Sequence, residues 1–448
     1  MGSRPTISWS DLRGSAVGLW GLGVEGAAGL RRLRQEGVAA PVLVDDRPAG
    51  PELDGLPVLP TERGGLEALA RCEVVVKTPG ISRHRPDVVA LAAGGTAVVG
   101  GLGLWMEEVD RDRVVCVTGT KGKSTTAAVA GHLLTRLGRR CLVAGNIGRP
   151  PYDPLLGDDY DAWVVEVSSF QATDLASSPP VVAVTSLHPD HLDWHGDEET
   201  YYREKLSACT RPGARVTVAD GESALLRERR PLLGPEVRWV RLGDPALDGP
   251  WVDGLGLLGR HQHRDALVAR ACLDELGVPE AGPDGGTALV EAARGFPGLA
   301  SRLRRVATVD GVTFVDDSLS TNVLPTLAAL DAFEGDRLAL VVGGHDRGIS
   351  YAPLAERLAA RPAPTLVLTV PANGPRIGGA VTAAAAAAGG GAEVLDCPDV
   401  ATATRAGFHW ARPGGVVLLS PAAPSFGQFR DYAERAAAFL AAAEACAG

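Results

Sequence analysis

Residues 114–125 read Val-Val-Cys-Val-Thr-Gly-Thr-Lys-Gly-Lys-Ser-Thr, and they give the clearest indication of the fold class. An apolar run typical of a buried strand leads into a glycine-rich loop, and a helical pattern follows from about residue 126 to residue 137. Backbone N–H groups of such a loop bind phosphates, while the lysine reaches the outer phosphates and the serine hydroxyl reaches Mg²⁺. The common phosphate-loop pattern GxxxxGK[ST] needs glycine where this chain has Val117, so the loop is a variant. The alternative is a glycine-rich turn with an exposed lysine, but the strand and helix on either side favour phosphate binding.

The segment before this loop alternates short apolar strands with helical patterns. Strands are predicted at 16–20, 42–44 and 74–76, which is the βαβ pattern of a parallel sheet. Between the first two strands, residues 21–26 match GxGxxG, and Asp45 follows about twenty residues later. This pattern indicates either a bound nucleotide or close packing of a helix on a strand, and we favour the nucleotide without assigning its identity.

The segment after residue 298 repeats the alternation, with strands predicted at 313–315, 339–342, 365–368 and 416–419. At roughly 150 residues per domain, 448 residues predict about three domains. The predicted fold class is therefore α/β with three domains. They are a Rossmann-like N-terminal domain (1–107), a central P-loop ATPase-type domain with a parallel sheet (108–298) and a Rossmann-like C-terminal domain (299–448).

Charge and composition exclude several classes of function. With 44 basic and 54 acidic residues the net charge is −10, which disfavours sequence-independent nucleic-acid binding and adhesion to an anionic membrane. No signal peptide or membrane-spanning run is evident, and residues 383–388 are better explained as a surface helix that ends at glycine. Seven scattered cysteines without a CxxC pair indicate reduced thiols, so we expect a cytoplasmic protein.

Polar residues also follow the other predicted strands, where ligands bind in parallel sheets. Glu166 opens Glu-Val-Ser-Ser-Phe-Gln and is placed to hold Mg²⁺, although Ser168 or Ser169 could instead cap a helix. Residues 187–195, which contain three histidines and two aspartates, indicate a second metal or substrate contact. Further polar loops are predicted at 316–322, 343–348 and 420–429. Judged by chemistry alone, Lys205 is an ordinary solvated lysine, and 259–262 are ambiguous.

Taken in order, these motifs resemble those of the Mur ligases of peptidoglycan synthesis, over nearly the whole chain. The resemblance rests on GTKGKST (119–125), GNIG (145–148), EVSSFQ (166–171), PDHLDWHG (189–196), DDSLSTN (316–322), GGHDRG (343–348) and LSPAAPSFGQF (419–429). It is strongest to the branch that joins glutamate to UDP-N-acetylmuramoyl-L-alanine. The resemblance implies that ATP phosphorylates the substrate carboxylate, that the glutamate amine attacks the acyl phosphate, and that ADP and phosphate leave. It also implies ATP and Mg²⁺ as cofactors, and we expect a monomer.

The same resemblance assigns residues to each ligand. It implies that Lys123 holds the γ-phosphate, that Ser124 and Glu166 serve one Mg²⁺, that His191 serves a second, and that Lys205 is carbamylated and becomes a metal ligand. The positions implied to contact ATP are Gly119, Thr120, Lys121, Gly122, Lys123, Ser124, Thr125, Gln262, Arg302 and Asp317. The positions implied to contact the UDP end are Val24, Glu25, Asp45, Asp46, Arg47 and Gly80. Those implied for the other substrate groups are Asn146 for the muramoyl group, and Thr321, Arg347, Ser425 and Tyr432 for glutamate.

Some positions depart from the pattern of ligases that add D-glutamate. Those ligases carry a lysine where this chain has Leu319, and an asparagine in the phosphate loop where it has Lys121. The runs at 19–26 and 193–196 look more like the variant branch that adds L-glutamate. We therefore favour L-glutamate, with D-glutamate as the alternative. A folylpolyglutamate-type ligase is disfavoured by the N-terminal domain, and a non-catalytic nucleotide-binding protein by the retention of Lys123, Glu166, His191 and Lys205.

Overall fold

The fold contains three six-stranded sheets, each of mostly parallel strands. The structure is a computed structural model that describes residues 4–283 and 285–447, so the ends of the predicted first and last domains lie outside the described residues. The chain divides into two compact units. The first unit runs to Gly254 and resumes over Arg264–Phe296, and the second contains Leu255–His263 and Pro297–Gly448. The α/β prediction is confirmed, and the first unit holds two of the sheets.

The first sheet has the strand order β3-β4-β2-β1-β5-β6. All neighbouring strands are parallel except β3 and β4. β1 and β5 are buried along their whole length, which fits the apolar residues of β1 and the three valines that begin β5. The strands are β1 (Val17–Trp20), β2 (Val42–Asp45), β3 (Glu52–Leu53), β4 (Leu56–Pro60), β5 (Val74–Lys77) and β6 (Ala97–Gly100).

The second sheet, also in the first unit, is parallel throughout, with the order β12-β11-β10-β7-β9-β8. Its strands are β7 (Val114–Thr118), β8 (Cys141–Gly145), β9 (Ala162–Glu166), β10 (Val181–Val184), β11 (Val216–Asp220) and β12 (Glu236–Val240). The chain passes from β7 to β8 and β9 on one side and then to β10 on the other. A sheet of this kind binds its ligand beyond the carboxyl ends of the strands where the order reverses, here β7, β9 and β10.

The third sheet forms the second unit and has the order β13-β14-β18-β15-β16-β17. β13 pairs antiparallel with β14, and the other pairs are parallel. The sheet has an apolar core on each face. Its strands are β13 (Arg304–Val309), β14 (Val312–Asp316), β15 (Leu338–Val342), β16 (Thr365–Thr369), β17 (Glu393–Asp396) and β18 (Val416–Leu419).

Helices connect the strands, as parallel crossovers require. In the first unit they are α1 (Val24–Gln35), α2 (Leu66–Leu69), α3 (Pro86–Ala93), α4 (Gly101–Met106), α5 (Lys123–Arg136), α6 (Ser169–Ala172), α7 (Leu192–His195), α8 (Glu198–Lys205), α9 (Ala224–Glu228), α10 (Trp251–Gly254) and α12 (Gly286–Ala293). In the second unit they are α13 (Val323–Asp331), α14 (Ala352–Ala359), α15 (Gly374–Ala388), α16 (Val400–Ala411) and α17 (Tyr432–Glu444). Residues of both units contribute to α11 (Gly259–Glu275).

Element boundaries correct the sequence prediction at the phosphate loop. The helix predicted from residue 126 begins at Lys123, because the left-handed Gly122 ends the loop immediately before it. The predicted surface helix over 383–388 is the last part of α15, and it ends at the left-handed Gly389. All seven cysteines are free, as predicted. Across the described residues, none of the helices has the length and apolar character needed to cross a membrane.

Candidate active site

The phosphate loop leaves β7 at the centre of the second sheet and ends where α5 begins. Gly119 and Gly122 have φ angles of 132° and 90°, which a side chain disfavours. A Cβ on Gly119 would lie 2.3 Å from Thr185 Oγ1, and one on Gly122 would lie 2.3 Å from Asp265 Oδ1. These positions therefore need glycine for conformation and for space, and the loop keeps its backbone at the end of the helix, where an anion binds.

The loop after β10 holds the phosphate loop from the side. Thr120 N donates to Ser186 O at 2.9 Å, and Lys121 N donates to Ser186 Oγ at 2.8 Å. The Thr120 hydroxyl lies within hydrogen-bond distance of the backbone O of His188 and the hydroxyl of Tyr201. Lys121 points outward, and its ammonium lies 3.5 Å from Asp190 Oδ2. The backbone of residues 119–121 is thus fixed by protein contacts.

Lys123 and Lys205 both direct their ammonium groups at the carbonyls of this loop. Lys123 Nζ donates to Gly119 O at 2.9 Å and to Thr120 O at 3.2 Å. Lys205 Nζ donates to Gly119 O at 3.1 Å and lies 5.1 Å from the ring centre of Tyr201. Lys205 is only 2% exposed, so its side chain is not the solvated lysine that chemistry alone suggested. Burial, together with the charge of Lys123, holds the pKa of Lys205 well below its usual value.

Glu166 joins three neighbouring segments of the second sheet. It is the last residue of β9, and the strand register sets it beside Val117 of β7 and Gly145 of β8. Ser124 Oγ donates to Glu166 Oε2 at 2.7 Å, and Asn146 Nδ2 donates to Glu166 Oε1 at 2.7 Å. The carboxylate is 2% exposed, so these contacts offset the cost of burying it. Three predicted site residues therefore meet at one carboxylate.

Of the two serines that follow Glu166, Ser168 caps a helix, as the helix-cap alternative predicted. Ser168 Oγ accepts a hydrogen bond from Gln171 N, and Gln171 Oε1 accepts one from Ser168 N, which makes a capping box for α6. Gln171 Nε2 also donates to Glu25 Oε1 at 2.8 Å, and Glu25 Oε2 accepts from Tyr152 at 3.1 Å. The carboxylate of Glu25, assigned above to the UDP end, is therefore directed toward the second sheet.

The donor set around Glu166 fits Mg²⁺. A serine hydroxyl and a carboxylate are the hard oxygen ligands that this ion takes in proteins. Among the described residues there is no group of three or more His, Cys, Asp or Glu side chains arranged to hold a metal. A sparse protein donor set suits Mg²⁺, which keeps several waters and is completed by substrate phosphates.

His191 lies in the same region but makes weaker contacts. It has a φ of 51° just before α7, and its Nε2 is 3.9 Å from Asp190 Oδ2. Its side chain is half exposed, and Phe170 lies 5.0 Å away, ring centre to ring centre. Burial lowers the pKa of His191, which favours the neutral ring that a metal requires. Among the described residues, no hydrogen bond joins His191 to Ser124 or Glu166.

Next to Lys205, the buried carboxylate of Glu204 contacts two histidines, the buried His195 and the half-exposed His84, and the sequence analysis assigned no role to Glu204 or His84. Glu204 Oε2 accepts from His195 Nδ1 at 2.6 Å, and Glu204 Oε1 lies 2.8 Å from His84 Nε2. Nε2 of the same His195 ring lies within hydrogen-bond distance of the Ser169 hydroxyl, at 3.0 Å. The Asp-Trp-His-Gly run at 193–196 marks His195 in the sequence. That motif does not indicate Glu204 as the partner of His195.

Another missed group is a buried ion cluster. Lys77 Nζ lies 2.6 Å from Asp174 Oδ2, with side-chain exposures of 0% and 2%, and Arg83 binds the other oxygen of Asp174. The attraction of Lys77 and Arg83 outweighs burial and lowers the pKa of Asp174. Lys77 is the last residue of β5 in the first sheet, and Asp174 follows α6, which comes after β9 of the second sheet. The cluster therefore connects the parts of the first unit that contain these two sheets. No local pattern in the sequence pairs residues 97 positions apart.

The positions assigned to the UDP end gather at the carboxyl edge of the first sheet. Asp45 Oδ2 accepts from Leu22 N at 2.7 Å, so Asp45 shapes the GxGxxG turn directly. Asp46 accepts from Thr61 at 2.7 Å and from Arg85 at 2.6 Å. A Cβ on Gly26 would lie 2.0 Å from Gly21 O, so close packing of helix on strand accounts for this glycine. Val24, Arg47 and Gly80 are exposed.

In the second unit the residues assigned to ATP also lie together. Gln262 Nε2 donates to Arg302 O at 3.0 Å, and its Oε1 accepts from Leu258 N at 3.0 Å. Asp317 accepts hydrogen bonds from Leu303 N and from the hydroxyls of Ser320 and Ser420. Burial raises the pKa of Asp317 to about 7, although these hydrogen bonds lower it. Asp317 therefore connects the segment after Ser301 with the end of β18.

Of the four positions assigned to glutamate, Thr321, Arg347 and Ser425 lie on loops that follow strands of the third sheet, and Tyr432 is the first residue of α17. Arg347 is exposed, Tyr432 is 41% exposed, Thr321 is partly exposed and Ser425 is buried. Arg435, which the sequence analysis missed, connects two of these loops. Its guanidinium donates to Ser318 Oγ at 3.0 Å, Ser318 O at 2.7 Å and Ala423 O at 3.0 Å. These contacts hold the loop after β14 against the loop after β18.

Two features of the fold and the site indicate a ligase of the Mur class. The first is a phosphate-loop sheet with a serine–glutamate pair, and the second is the third α/β sheet that follows it in the sequence. The chain matches the family models for the Mur ligase middle domain over residues 117–231 and for the Mur ligase glutamate ligase domain over residues 301–423. The chain belongs to the Mur ligase family.

Particular relatives support the same conclusion. The chain is 41% identical to the UDP-N-acetylmuramoyl-L-alanine–L-glutamate ligase of Micromonospora sp., covering 98% of each chain. It is 39% identical to the ligase of the same name from Salinispora tropica, covering 98% of this chain and 99% of the other.

Solved structures are similar in fold. The UDP-N-acetylmuramate–alanine ligase of Thermotoga maritima aligns with a TM-score of 0.54 at 18% identity, covering 96% of this chain and 99% of that one. The folylpolyglutamate synthase of Mycobacterium tuberculosis aligns with a TM-score of 0.51 at 16% identity, covering 75% and 92%. At these identities the comparison concerns the fold alone.

Proposed function

We propose that this protein joins L-glutamate to UDP-N-acetylmuramoyl-L-alanine and converts ATP to ADP and phosphate, as a step of peptidoglycan precursor synthesis. The observation that carries the proposal is the Ser124–Glu166 hydrogen bond of 2.7 Å beside a phosphate loop, in a chain of the Mur ligase family. Relatives that match it over 98% of its length carry this name.

Activation of the carboxylate is the first chemical task of such a ligase. A carboxylate is a poor electrophile, and transfer of the γ-phosphoryl group to one of its oxygens gives an acyl phosphate with a good leaving group. In the proposal the backbone of residues 119–122 binds the phosphates, and Lys123 turns from the carbonyls of Gly119 and Thr120 toward the γ-phosphate. Oxygen-18 placed in the alanyl carboxylate should therefore appear in the released phosphate.

Metal binding is assigned to Ser124 and Glu166, with His191 at a second position. Bound Mg²⁺ would neutralise charge on the phosphoryl group being transferred. Asn146 holds Glu166 Oε1, so the carboxylate keeps its orientation while Oε2 faces the serine. The assignment of Asn146 to the muramoyl substrate requires it to share or release this contact.

Lys205 is proposed to act as a carbamate and not as an ammonium. Its burial and its depressed pKa support a neutral amine, which is the form that attacks CO₂. The new N–C bond forms as one proton leaves the nitrogen, and the product carries a negative charge. The negative charge of the carbamate would be attracted to the Lys123 ammonium, and its oxygens could serve as ligands for a metal.

We assign the selection of glutamate to four residues: Thr321, Arg347 and Ser425 on loops, and Tyr432 at the start of α17. Arg347 offers a guanidinium suited to a carboxylate of the amino acid. Leu319 replaces the lysine that related D-glutamate ligases carry, so this loop lacks one cation for a dicarboxylate. This difference and the names of the relatives support L-glutamate over D-glutamate.

The remaining assignments concern the UDP end of the substrate, ATP, the oligomeric state and the location of the protein in the cell. The UDP end is proposed to bind at Val24, Glu25, Asp45, Asp46, Arg47 and Gly80, and Gln262, Arg302 and Asp317 are proposed to contact ATP. The protein is proposed to act as a monomer. Seven free thiols and the use of ATP support a cytoplasmic location.

The test supplies ATP, Mg²⁺ and UDP-N-acetylmuramoyl-L-alanine with no amino acid, with L-glutamate or with D-glutamate, and measures phosphate release. We expect release that requires both the muramoyl nucleotide and L-glutamate. Activity only with D-glutamate would overturn the stereochemical assignment. Activity only with a folate substrate in place of the muramoyl nucleotide would point to a folylpolyglutamate-type ligase, and nucleotide binding without turnover to a non-catalytic protein.

A further inference from the structure

The loop after β15, residues 343–350, carries Arg347 and is here called the Arg347 loop. It contains no helix or strand, and Gly343, Gly344 and Gly348 have φ angles of 124°, 152° and 69°. Because glycine has no Cβ, three glycines give the backbone of this loop many accessible conformations. An exposed arginine on this loop keeps one position only if contacts from outside the loop hold the backbone on both sides of it.

The first of these contacts comes from Asn373, which is 2% exposed and immediately precedes α15. Gly344 N donates to Asn373 Oδ1 at 2.9 Å, and Asn373 N donates to Gly344 O at 3.0 Å. Asn373 Nδ2 also donates to the hydroxyl of Tyr351 at 2.6 Å. One buried amide therefore holds the beginning of the Arg347 loop and the residue that follows its end.

The second contact comes from Arg376, in the first turn of α15. Arg376 Nη2 donates to Asp346 Oδ1, and Arg376 Nη1 donates to Ile349 O at 2.9 Å. The same guanidinium lies 4.8 Å from the ring centre of Tyr351. Asp346 and Ile349 stand on either side of Arg347 in the sequence, so Arg376 fixes the backbone on both sides of it.

We propose that Arg376, supported by Asn373, is a positioning residue that sets Arg347 for the carboxylate of the incoming amino acid. This inference rests on the proposed function, in which Arg347 binds glutamate. The planar guanidinium of an arginine can donate to a carboxylate and to a carbonyl at the same time, because its N–H groups point in different directions. A lysine at this position would hold both acceptors less well. Arg376 lies 42% exposed and Asp346 43% exposed, so their ion pair contributes little to folding stability. The ion pair instead keeps the Arg347 loop ordered before glutamate binds. Less binding energy is then lost in fixing Arg347.

The experiment compares Arg376→Met and Arg376→Lys with a matched control, Arg357→Met. Arg357 lies on α14 of the same unit and makes exposed ion pairs with Asp331 and Glu334, away from the Arg347 loop. Phosphate release by the full chain is measured while glutamate, ATP and the muramoyl nucleotide are varied in turn, and thermal unfolding is recorded for each variant.

We expect Arg376→Met to raise KM for glutamate about tenfold, the size of one lost charge-assisted contact. KM for ATP and for the muramoyl nucleotide should stay within about twofold, and the unfolding temperature should match that of Arg357→Met. Arg376→Lys should fall between wild type and Arg376→Met, because it keeps the ion pair and loses the bond to Ile349 O.

Two results would overturn the inference while leaving the proposed function intact. The first is a wild-type KM for glutamate in Arg376→Met, and the second is an equal rise of KM in Arg357→Met. A wild-type protein without glutamate-dependent phosphate release would instead refute the proposed function, so the two failures are distinguishable.

Discussion

The Oγ of Ser124 donates a hydrogen bond to Oε2 of Glu166, and the two atoms lie 2.7 Å apart. Ser124 is in the first turn of α5 and Glu166 ends β9, so the contact joins the phosphate loop to the neighbouring strand. Asn146 holds the other oxygen of the same carboxylate. A hydroxyl and a carboxylate kept together at the positive end of a helix form a suitable place for a metal–phosphate complex.

The first prediction concerns Glu166. Glu166→Gln keeps the size of the side chain and removes its charge, so we expect kcat to fall by about 100-fold or more and the Mg²⁺ requirement to rise. Phosphate release across a Mg²⁺ titration measures both. The control is Glu291→Gln, whose carboxylate is 69% exposed on α12. A Glu166→Gln enzyme with normal kcat and Mg²⁺ dependence would contradict the metal assignment.

The second prediction concerns Lys123. Lys123→Ala removes the ammonium proposed to reach the γ-phosphate, so turnover should be lost while the muramoyl nucleotide still binds. Calorimetric titration with that nucleotide measures binding separately from catalysis. Arg136→Ala, at the exposed far end of α5, serves as the control. Loss of nucleotide-sugar binding in Lys123→Ala would show that the two sites are not separate.

The third prediction concerns Lys205. Lys205→Ala should be inactive, and added acetate or another short carboxylate should restore part of the activity, because it can take the place of a carbamate. Wild-type protein in ¹³C-bicarbonate should in addition show a carbamate carbon signal that Lys205→Ala lacks. Arg203→Ala, exposed on the same helix, should keep both activity and signal. An unchanged carbon signal in Lys205→Ala would exclude this lysine as the modified group.

The fourth prediction concerns pH and Asp317. Its pKa is raised to about 7 by burial in the folded protein and is near 4 in an unfolded chain. The folded state therefore holds a proton that the unfolded state has released, and the resulting stabilisation is fully present below about pH 4 and is lost as pH rises through about 7.

Asp317→Asn, which does not ionise, should consequently gain stability relative to wild type as pH rises from 5 to 8, by at most about 1.4 kcal/mol per pH unit over the range between the two pKa values. Denaturant midpoints of the two proteins at each pH measure this difference. Asp331→Asn, with a carboxylate that is 59% exposed, should show no such trend. A stability difference between Asp317→Asn and wild type that does not vary with pH would contradict a raised pKa.

The sequence predicts the elements around the phosphate loop well because the signals there are local. Residues 114–125 place a strand, a loop and a helix in order, and the structure moves only the start of the helix, from residue 126 to Lys123. The pairing of Ser124 with Glu166 follows from the same logic, since both lie at the carboxyl edge of adjacent strands.

Contacts between distant segments could not be predicted in this way. Lys205 has the local appearance of a solvated helix residue, and only the packing of α8 against the phosphate loop buries it. Arg435 and Asp174 are isolated charges in the sequence, and their partners are set by how the sheets fold. The direction of Glu25 likewise depends on Gln171, which lies 146 residues away.

The central claim is the ligation of L-glutamate to UDP-N-acetylmuramoyl-L-alanine, and the most direct test is the identity of the product. The purified protein is incubated with ATP, Mg²⁺, the muramoyl nucleotide and racemic glutamate, and the product is hydrolysed and its glutamate separated on a chiral column. We expect a product heavier by one glutamyl residue that releases L-glutamate on hydrolysis. A product that releases D-glutamate, or the absence of any glutamyl product, would contradict it.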